Sequence, residues 1–492
     1  MGPKRDTPRF SEQYGDLRTM RGVVREDPPV SEAVVQCVWY DQVFVDRELR
    51  TADGHALEVV WPGWWNHGEG PDFKDAQIRF NSREVVGDVE IHCSHADWRG
   101  HGHHQDARYD QVRLLVVLEH CPATVPPTTS KGRAIPVVLL PRFLTQDIRT
   151  IADGLLIDHY PYRSPAAAGE CATVAQAAGP EPILALLALA GEWRMLTKAR
   201  ALRDRMVQVG VDQAIYEAFL SACGFGPFKF NFQAIARQFP YERTRQLVTQ
   251  DPFLLEAALL QVAALLPGSL PAHAGPVPHF GRLDALRRGE LAGLKSLPLV
   301  WRRVGVRPTN NPERRLAGAV RFLARTSGEG LAGALERVWA QDTTPIKRRR
   351  ALEALFPSAM GFWAEHCTWT GRELKRPCAP LGAGRARSII GNVFVPAALA
   401  LARERRDRVR EERVLGFFAT LPKEPDNQIL RVMAPRLFGT TKPAKLTFRT
   451  QQGALQIYQD WCASNPTCRN CTVMQYLLAS SPKAADTSAP LS

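Results

Sequence analysis

The hydrophobic pattern of the chain changes near residue 165, and this change constrains the fold more than any other feature. Before it, short apolar runs with strand-like alternation predict β-strands at 57–61, 76–80, 85–92, 112–118 and 135–140. After it, the apolar spacing is helical nearly to the end of the chain. The sequence therefore predicts an α/β N-terminal domain followed by a mostly α-helical region.

The chain has 492 residues, too many for one ordinary hydrophobic core. A helix that starts near Ser31, a good N-cap residue, is expected before the first strand. Proline-rich breaks at 267–278 and 297–312 indicate internal boundaries. The predicted organisation is a polar lead-in (1–28), an α/β domain (29–165), a helical domain (166–300), a second helical domain with a C-terminal cysteine cluster (301–478) and a disordered tail (479–492).

Targeting signals are missing from the sequence. No uninterrupted apolar stretch reaches the ~18 residues of a membrane span, and the N-terminus is charged without an apolar core. Ten scattered cysteines do not form a disulfide framework. We therefore expect a cytoplasmic protein with no membrane partner.

Charge and histidine are distributed unevenly. Residues 1–120 hold 14 Lys and Arg against 21 Asp and Glu, a net charge of −7. Because the whole chain has a net charge of +13, the remaining residues carry +20. Eight of the twelve histidines lie between His55 and His120. This asymmetry suggests a metal-dependent site served by a surface for polyanions, with nucleic acid as the expected partner. The alternative is a coding bias that loads helices with arginine.

The residues best suited to chemistry lie in the strand region. Asp72 follows a Gly-Pro turn, and Glu90 and His92 are two residues apart in a predicted strand, so their side chains share one face. A hairpin would bring the two carboxylates to one metal, and Mg²⁺ or Mn²⁺ prefers such oxygen ligands. The metal can activate water and stabilise a phosphodiester transition state.

Pro71-Asp72 followed by Glu90-Ile91-His92 resembles the PD-(D/E)XK nuclease pattern. The resemblance implies a mixed sheet, metal ligands at Asp72 and Glu90, and an auxiliary acid at Glu32 on the preceding helix. His92 stands where the pattern has lysine and would position the attacking water. The alternatives are a nuclease-like core that binds nucleic acid without cleaving it, and a structural protein in which these groups form a packed polar network.

Three further features leave alternatives open. The loop that contains His101, His103, His104 and Asp106 is either solvated or faces a phosphate, and Tyr109 is one helical turn beyond Asp106. Trp64-Trp65 is either a core plug or a stacking platform for bases. Basic residues at 302–303, 307, 314–315 and 347–350 could line a phosphate groove, whereas the mixed-sign run at 403–413 is typical of a solvated face.

Three cysteines near the C-terminus, Cys462, Cys468 and Cys471, have metal-ligand spacing. Such a group suits Zn²⁺ or an iron–sulfur cluster in a structural role, or the thiols are simply buried. A fourth ligand must come from elsewhere. Cys37, Cys367 and Cys378 are the candidates, and the cluster found in some PD-(D/E)XK nucleases, with one early and three late cysteines, favours Cys37.

Taken together, these stretches resemble the bacterial uncharacterised family called domain of unknown function 2851, over roughly residues 31–478. The matching residues are Thr51–Gly54, Pro62-Gly63, Asn66, Gly70–Phe73, Ala76, Ile78, Gly87, Val89–His92, Asp97-Trp98, His101, His103, Asp106, Tyr109-Asp110, Val112, Arg307-Pro308, Asn310, Pro312, Arg315, Asn392, Pro396, Glu424, Asn427, Gln451-Gln452 and the three late cysteines. The resemblance implies that His92 is the family's normal residue. It assigns no activity.

Overall fold

The chain forms two compact units, each built from separate stretches of sequence. A computed structural model describes residues 10–20, 30–42, 44, 49–66, 69–119, 125–144, 146–155, 169–224, 228–272, 276–301, 303, 306–425, 428–441, 446–462, 468 and 471–480. The sheet unit comprises Leu17–Ala178, Asp426–Thr441 and Tyr458–Ser492. The helical unit comprises Met1–Asp16, Gly179–Pro425 and Lys442–Ile457. The boundaries expected at residues 165 and 300 stay predictions, and the tail from residue 481 lies outside the described residues.

The sheet is mixed, with a central antiparallel hairpin. Its strands are β1 (Leu57–Trp61), β2 (Trp64–Trp65), β3 (Phe73–Phe80), β4 (Arg83–Ser94), β5 (Val112–Glu119) and β6 (Val137–Leu139). The order is β1-β3-β4-β5-β6, and β2 pairs with β3. The β1, β2 and β4 pairings with β3 are antiparallel, whereas β4–β5 and β5–β6 are parallel. The predicted N-terminal sheet, followed by a mostly helical region, is confirmed.

Local sequence explains the hairpin at the centre of the sheet. Asn81 and Ser82 join β3 to β4 and both have positive φ angles, 43° and 74°, as a tight two-residue hairpin turn requires. This turn sets the register, in which Phe80 pairs with Arg83 and Ile78 with Val85. The strand β5 is buried along most of its length because it pairs in parallel on both sides and has an almost continuous apolar sequence.

The described helices occupy most of the region after residue 165, as predicted, and α1 lies within the expected lead-in. They are α1 (Phe10–Met20), α2 (Glu32–Asp41), α3 (Asp97–Gly100), α4 (Ile148–Gly154), α5 (Cys171–Ala178), α6 (Glu181–Val209), α7 (Val211–Gly224), α8 (Lys229–Gln238), α9 (Tyr241–Gln250), α10 (Pro252–Val262), α11 (Pro278–Arg288), α12 (Pro312–Thr326), α13 (Gly330–Ala340), α14 (Pro345–Glu353), α15 (Phe362–Glu365), α16 (Ala383–Ile389), α17 (Val395–Glu404), α18 (Arg408–Thr420), α19 (Gln428–Phe438), α20 (Phe448–Ile457) and α21 (Thr472–Ala479). None of these helices is long and apolar enough to cross a membrane.

The core of the helical unit surrounds α10, α12 and α17, whose residues are buried on nearly every side. At its edge the long helix α6 approaches α20 very closely. Gly191 and Gly453 allow this approach, because a Cβ at either position would collide with the backbone of the other helix.

In the sheet unit, α2 packs against β4 with its apolar face inward. Ser31 occupies the N-cap position of α2, but its side chain makes no capping hydrogen bond. Trp39 Nε1 donates to the Pro62 carbonyl at 3.1 Å, which fixes α2 against the chain between β1 and β2. This helix and the β4–β5 connection both contribute side chains to the site described next.

Candidate functional site

Two carboxylates are interlocked at the base of the β3–β4 hairpin. Asp72 lies immediately before β3, and Glu90 lies in the buried middle of β4 with 4% of its surface exposed. The Asp72 backbone N–H donates to Glu90 Oε2 at 3.0 Å, and the Ile91 N–H donates to Asp72 Oδ2 at 3.0 Å. Each acid is thus held by the other's strand, and the two carboxyl groups have little freedom to move apart.

The helix α2 supplies two more side chains from one of its faces. Gln36 Nε2 donates to Asp72 Oδ1 at 2.7 Å. One turn earlier, Glu32 Oε2 lies 3.2 Å from Nδ1 of His92, which is 1% exposed. Because a carboxylate accepts, this contact places the proton of a neutral imidazole on Nδ1 and leaves a lone pair on Nε2. That Nε2 atom is buried and has no hydrogen-bond partner among the described residues.

The connection between β4 and β5 brings two further histidines to the same place. After α3, short 3-10 turns at His103–Gln105 and Ala107–Tyr109 fold His103 inward. Its ring is parallel to that of His92 at 5.1 Å and stacks on Tyr109 at 3.9 Å. One ring nitrogen from each of His92, His101 and His103 lies within 4.8 Å of the other two. The imidazoles therefore form one cluster.

Glu90 connects the carboxylates to this cluster. Its Oε2 atom accepts from Asp72, whereas Oε1 lies 3.5 Å from His103 Nε2 and 3.7 Å from His92 Nε2. Among the described residues no lysine or arginine pairs with Asp72 or Glu90. The site therefore contains carboxylates and imidazoles without a fixed positive charge.

Burial shifts the ionisation of these groups. Burial, assisted by the Glu32 charge, raises the pKa of Asp72 to about 7. Burial and the Asp72 charge likewise raise the pKa of Glu90 well above its usual range. Burial and the nearby His92 lower the pKa of His103 to about 4. Near neutral pH the imidazole of His103 is thus neutral, while the two acids resist ionising together.

This donor set suits a divalent cation. Glu90 Oε1 and the ring nitrogens of His92, His101 and His103 are arranged as ligands, and Asp72 lies next to them with both oxygens already hydrogen-bonded. A cation would replace the missing positive charge and allow both acids to ionise. Imidazoles favour zinc or manganese, whereas the carboxylates alone would favour magnesium.

The four residues singled out from the sequence, Glu32, Asp72, Glu90 and His92, meet in this site. Sequence reasoning undervalued His101 and His103, because their loop has no periodic pattern that predicts which ring faces inward. Two neighbouring acids have local roles instead. Asp106 caps the turn and pairs with Arg108, and Asp97 accepts from the Ser94 N–H at 2.8 Å.

The tryptophan pair is not a core plug. Trp64 is 68% exposed, and its ring meets that of Trp61 edge-on at 4.9 Å. Trp65 packs against Tyr40 and Phe73 at ring distances of 5.4 and 5.2 Å. The exposed ring of Trp64 leaves the stacking-platform alternative open.

The prediction that basic residues line a phosphate-binding groove is wrong for Arg314 and Arg348, because both side chains are buried. Arg314 is 2% exposed and donates to the carbonyl oxygens of Trp363 and Cys378, at 2.8 and 2.6 Å. Arg348 is 1% exposed, donates to the Gln341 carbonyl and lies over the Trp339 ring. Sequence shows charge but not burial, and these side chains tie the helical unit together. Arg302 lies outside the described residues.

The solvated charged face expected at 403–413 is confirmed. Most of its residues are exposed or half-buried, and its arginines form ion pairs, as in Arg403–Glu411 at 2.8 Å and Arg405–Glu336 at 2.7 Å. The acids of these two pairs are more buried than the arginines.

The three late cysteines all belong to the sheet unit. Of the fourth-ligand candidates, Cys37 is buried in α2 of that unit. Cys367 and Cys378 belong to the helical unit, where Arg314 Nη2 lies 2.9 Å from Cys378 Sγ. A further cysteine of the sheet unit, Cys171, begins α5 and is not among the candidates for the fourth ligand that the sequence suggests.

The family model described as "Protein of unknown function (DUF2851)" matches residues 32–427 of the chain. The matched stretch includes α2, the whole sheet and most of the helical unit. Neither a curated protein nor a solved structure matches the chain.

Proposed function

We propose that this chain, which belongs to the DUF2851 family of proteins of unknown function, is a divalent-metal-dependent hydrolase of phosphodiester bonds in DNA or RNA. The observation that carries the proposal is the buried Asp72–Glu90 pair, which adjoins an unpartnered His92 Nε2 and has no basic residue to balance its charge among the described residues. The choice of reaction rests on the resemblance of Pro71-Asp72 and Glu90-Ile91-His92 to the PD-(D/E)XK sequence pattern.

The proposed roles follow from the contacts. Asp72 and Glu90 would hold the metal, with His103 and His101 as further ligands. Glu32 orients His92 through Nδ1, so that Nε2 can position a water and accept its proton. The metal would supply Lewis acidity and stabilise charge on the phosphoryl oxygens.

The imidazole cluster favours a transition metal over Mg²⁺ as the bound cation. Three histidine nitrogens within 4.8 Å of one another, beside Glu90 Oε1, suit Zn²⁺ or Mn²⁺ better than Mg²⁺, and His92 would then be a ligand instead of the group that accepts the proton of water. Cleavage supported by Mn²⁺ or Zn²⁺ but not by Mg²⁺ would identify the imidazoles as ligands.

The test is a cleavage assay on single- and double-stranded DNA and RNA, in Mg²⁺, Mn²⁺ or Zn²⁺ and in chelator. Wild type is compared with the Asp72→Ala/Glu90→Ala double variant and with Glu90→Gln. The matched control is Glu84→Gln, because Glu84 is an exposed acid of the same strand. We expect metal-dependent cleavage by wild type and Glu84→Gln, and at least about a hundredfold slower cleavage by the others.

Full Mg²⁺-dependent activity in an Asp72→Ala variant would refute the assignment. No cleavage by wild type, with equal nucleic-acid binding by wild type and the double variant, would indicate a binding protein with an inactive core. Neither cleavage nor metal affinity nor nucleic-acid binding would indicate a structural protein.

A further inference from the structure

Four free cysteines from distant parts of the chain lie on neighbouring segments of the sheet unit. Burial, assisted by the thiols of Cys462, Cys471 and Cys468, raises the pKa of Cys171. Cys171 begins α5, Cys462 ends a π-helical turn at Tyr458–Cys462, and Cys471 is the N-cap residue of α21. About 290 residues separate the first of these cysteines from the other three.

Helix packing and hydrogen bonds hold these segments together. The helix α5 packs against both α19 and α21. The Trp461 Nε1 donates to Thr472 Oγ1 at 2.8 Å and links the π-helical turn to the start of α21. The Cys471 N–H donates to the Cys468 carbonyl at 3.2 Å and closes a turn between these two cysteines. The thiols are therefore brought together by three packed segments rather than by local chain spacing alone.

A buried arginine faces the sulfur atoms. Arg436 of α19 is 4% exposed, its Nη2 donates to Cys468 Sγ at 3.2 Å, and its side chain also hydrogen-bonds the Cys462 thiol. Just before α5, Gly169 fits so tightly that a Cβ would lie 2.8 Å from the Arg436 carbonyl oxygen and 3.4 Å from Cys468 Sγ. Four thiolates around a divalent metal carry a net charge of −2, and the Arg436 guanidinium beside them would partly balance that charge.

We propose that Cys171, Cys462, Cys468 and Cys471 bind a metal centre as four thiolate ligands, with Arg436 as its buried counter-ion. The ligand is a thiophilic metal, either a single zinc ion or an iron–sulfur cluster. Cys171 replaces Cys37, Cys367 and Cys378 as the fourth ligand. The centre cross-links α5, the π-helical turn and α21, and it is independent of the proposed hydrolase site.

The first experiment measures zinc, iron and acid-labile sulfide in full-length protein purified without oxygen, in a His101→Ala/His103→Ala background so that the imidazole cluster does not contribute. We expect about one zinc per chain, or iron with matching sulfide. Cys171→Ser should lose most of this metal. The control Cys378→Ser should keep it, because Cys378 belongs to the other unit.

The second experiment uses the wild-type chain and does not depend on a variant that folds. Thiols are alkylated under native conditions before and after metal removal by a chelator, and the modified cysteines are mapped by mass spectrometry. We expect Cys171, Cys462, Cys468 and Cys471 to be protected together and released together. Alkylation of these four before chelation, disulfides among them, or protection of Cys37 in place of Cys171 would each overturn the proposal.

Discussion

At the scale of single residues, Glu90 links the two parts of the candidate site. One of its oxygens is held by the Asp72 backbone, and the other is directed at the Nε2 atoms of His92 and His103. An amide in this position would replace one carboxylate oxygen by an NH2 group, which can neither accept from the Asp72 N–H nor bind a cation. Small changes at residue 90 should therefore disturb both parts of the site.

The raised pKa of Asp72 predicts how the metal-free protein responds to pH. The pKa of Asp72 is about 7 in the folded chain, against an ordinary value of 3.8. Between about pH 4 and pH 7 the folded chain therefore keeps a proton that the unfolded chain has lost. The contribution to stability is therefore fully present below about pH 4 and is lost as pH rises to about 7, at roughly 1.4 kcal/mol per pH unit.

Asp72→Asn should remove this dependence, because an amide does not titrate. Measured by urea unfolding in chelator, the difference in unfolding free energy between wild type and Asp72→Asn should shift by roughly 2 kcal/mol between pH 5 and pH 7, in favour of the variant at the higher pH. Asp342→Asn is the control, since Asp342 is 99% exposed. An unchanged difference at the two pH values would contradict the assignment of the titration to Asp72.

At the scale of elements, α14 shows that one basic run can contain residues with different roles. Arg348 is buried under the helix, where it donates to Gln341 and covers Trp339. Lys347 and Arg350 point to the surface. The periodicity of the helix separates these residues, because neighbours in sequence are about 100° apart around its axis.

We expect Arg348→Ala to lower the free energy of unfolding by about 2–4 kcal/mol, because it removes a hydrogen bond, a cation–π contact and buried volume. Arg350→Ala on the same helix should change it by less than about 0.5 kcal/mol. Urea unfolding of both variants measures this. If both substitutions changed the free energy of unfolding by equally small amounts, Arg348 would be a surface residue and could line the phosphate groove expected from the sequence.

At the scale of the whole molecule, charge is divided along the chain. The first 120 residues carry −7 and the remainder +20, so the basic residues that attract a polyanion are mostly outside the strand region. Binding by such a surface releases counterions and weakens with salt. Stacking on an exposed aromatic ring such as Trp64 adds a contribution that depends little on salt.

The affinity for single-stranded DNA should therefore fall at least about a hundredfold between about 50 and 200 mM salt. Trp64→Ala should weaken binding roughly tenfold at each salt concentration without changing the slope. Fluorescence anisotropy in chelator measures both, with Val86→Ala as an exposed apolar control. Affinity that does not depend on salt would argue against a polyanion partner.

Sequence predicts the parts of the molecule that local pattern determines. The turn at Asn81-Ser82, the strands on either side and the pairing of Asp72 with Glu90 follow from turn chemistry and a two-residue period. Glu32 is indicated by the resemblance to the PD-(D/E)XK pattern, which implies an auxiliary acid on the preceding helix. These residues could be named without coordinates.

Other parts depend on tertiary packing. His103 turns inward because irregular turns and Tyr109 direct it, and no periodicity marks such a loop. Cys171 has no local motif, since its neighbours lie about 290 residues downstream. The burial of Arg314 and Arg348 opposes the usual preference of arginine for the surface.

The discontinuity of the sheet unit has a consequence for synthesis on the ribosome. Residues 17–178 leave the ribosome first, but the segments 426–441 and 458–492 that complete the unit follow only after most of the helical unit has been made. At about 5–20 residues per second, the interval between Cys171 and Cys462 is roughly 15–60 s. During that time α5 lacks α19 and α21, so the nascent sheet unit exposes an unfinished apolar surface that a chaperone can recognise.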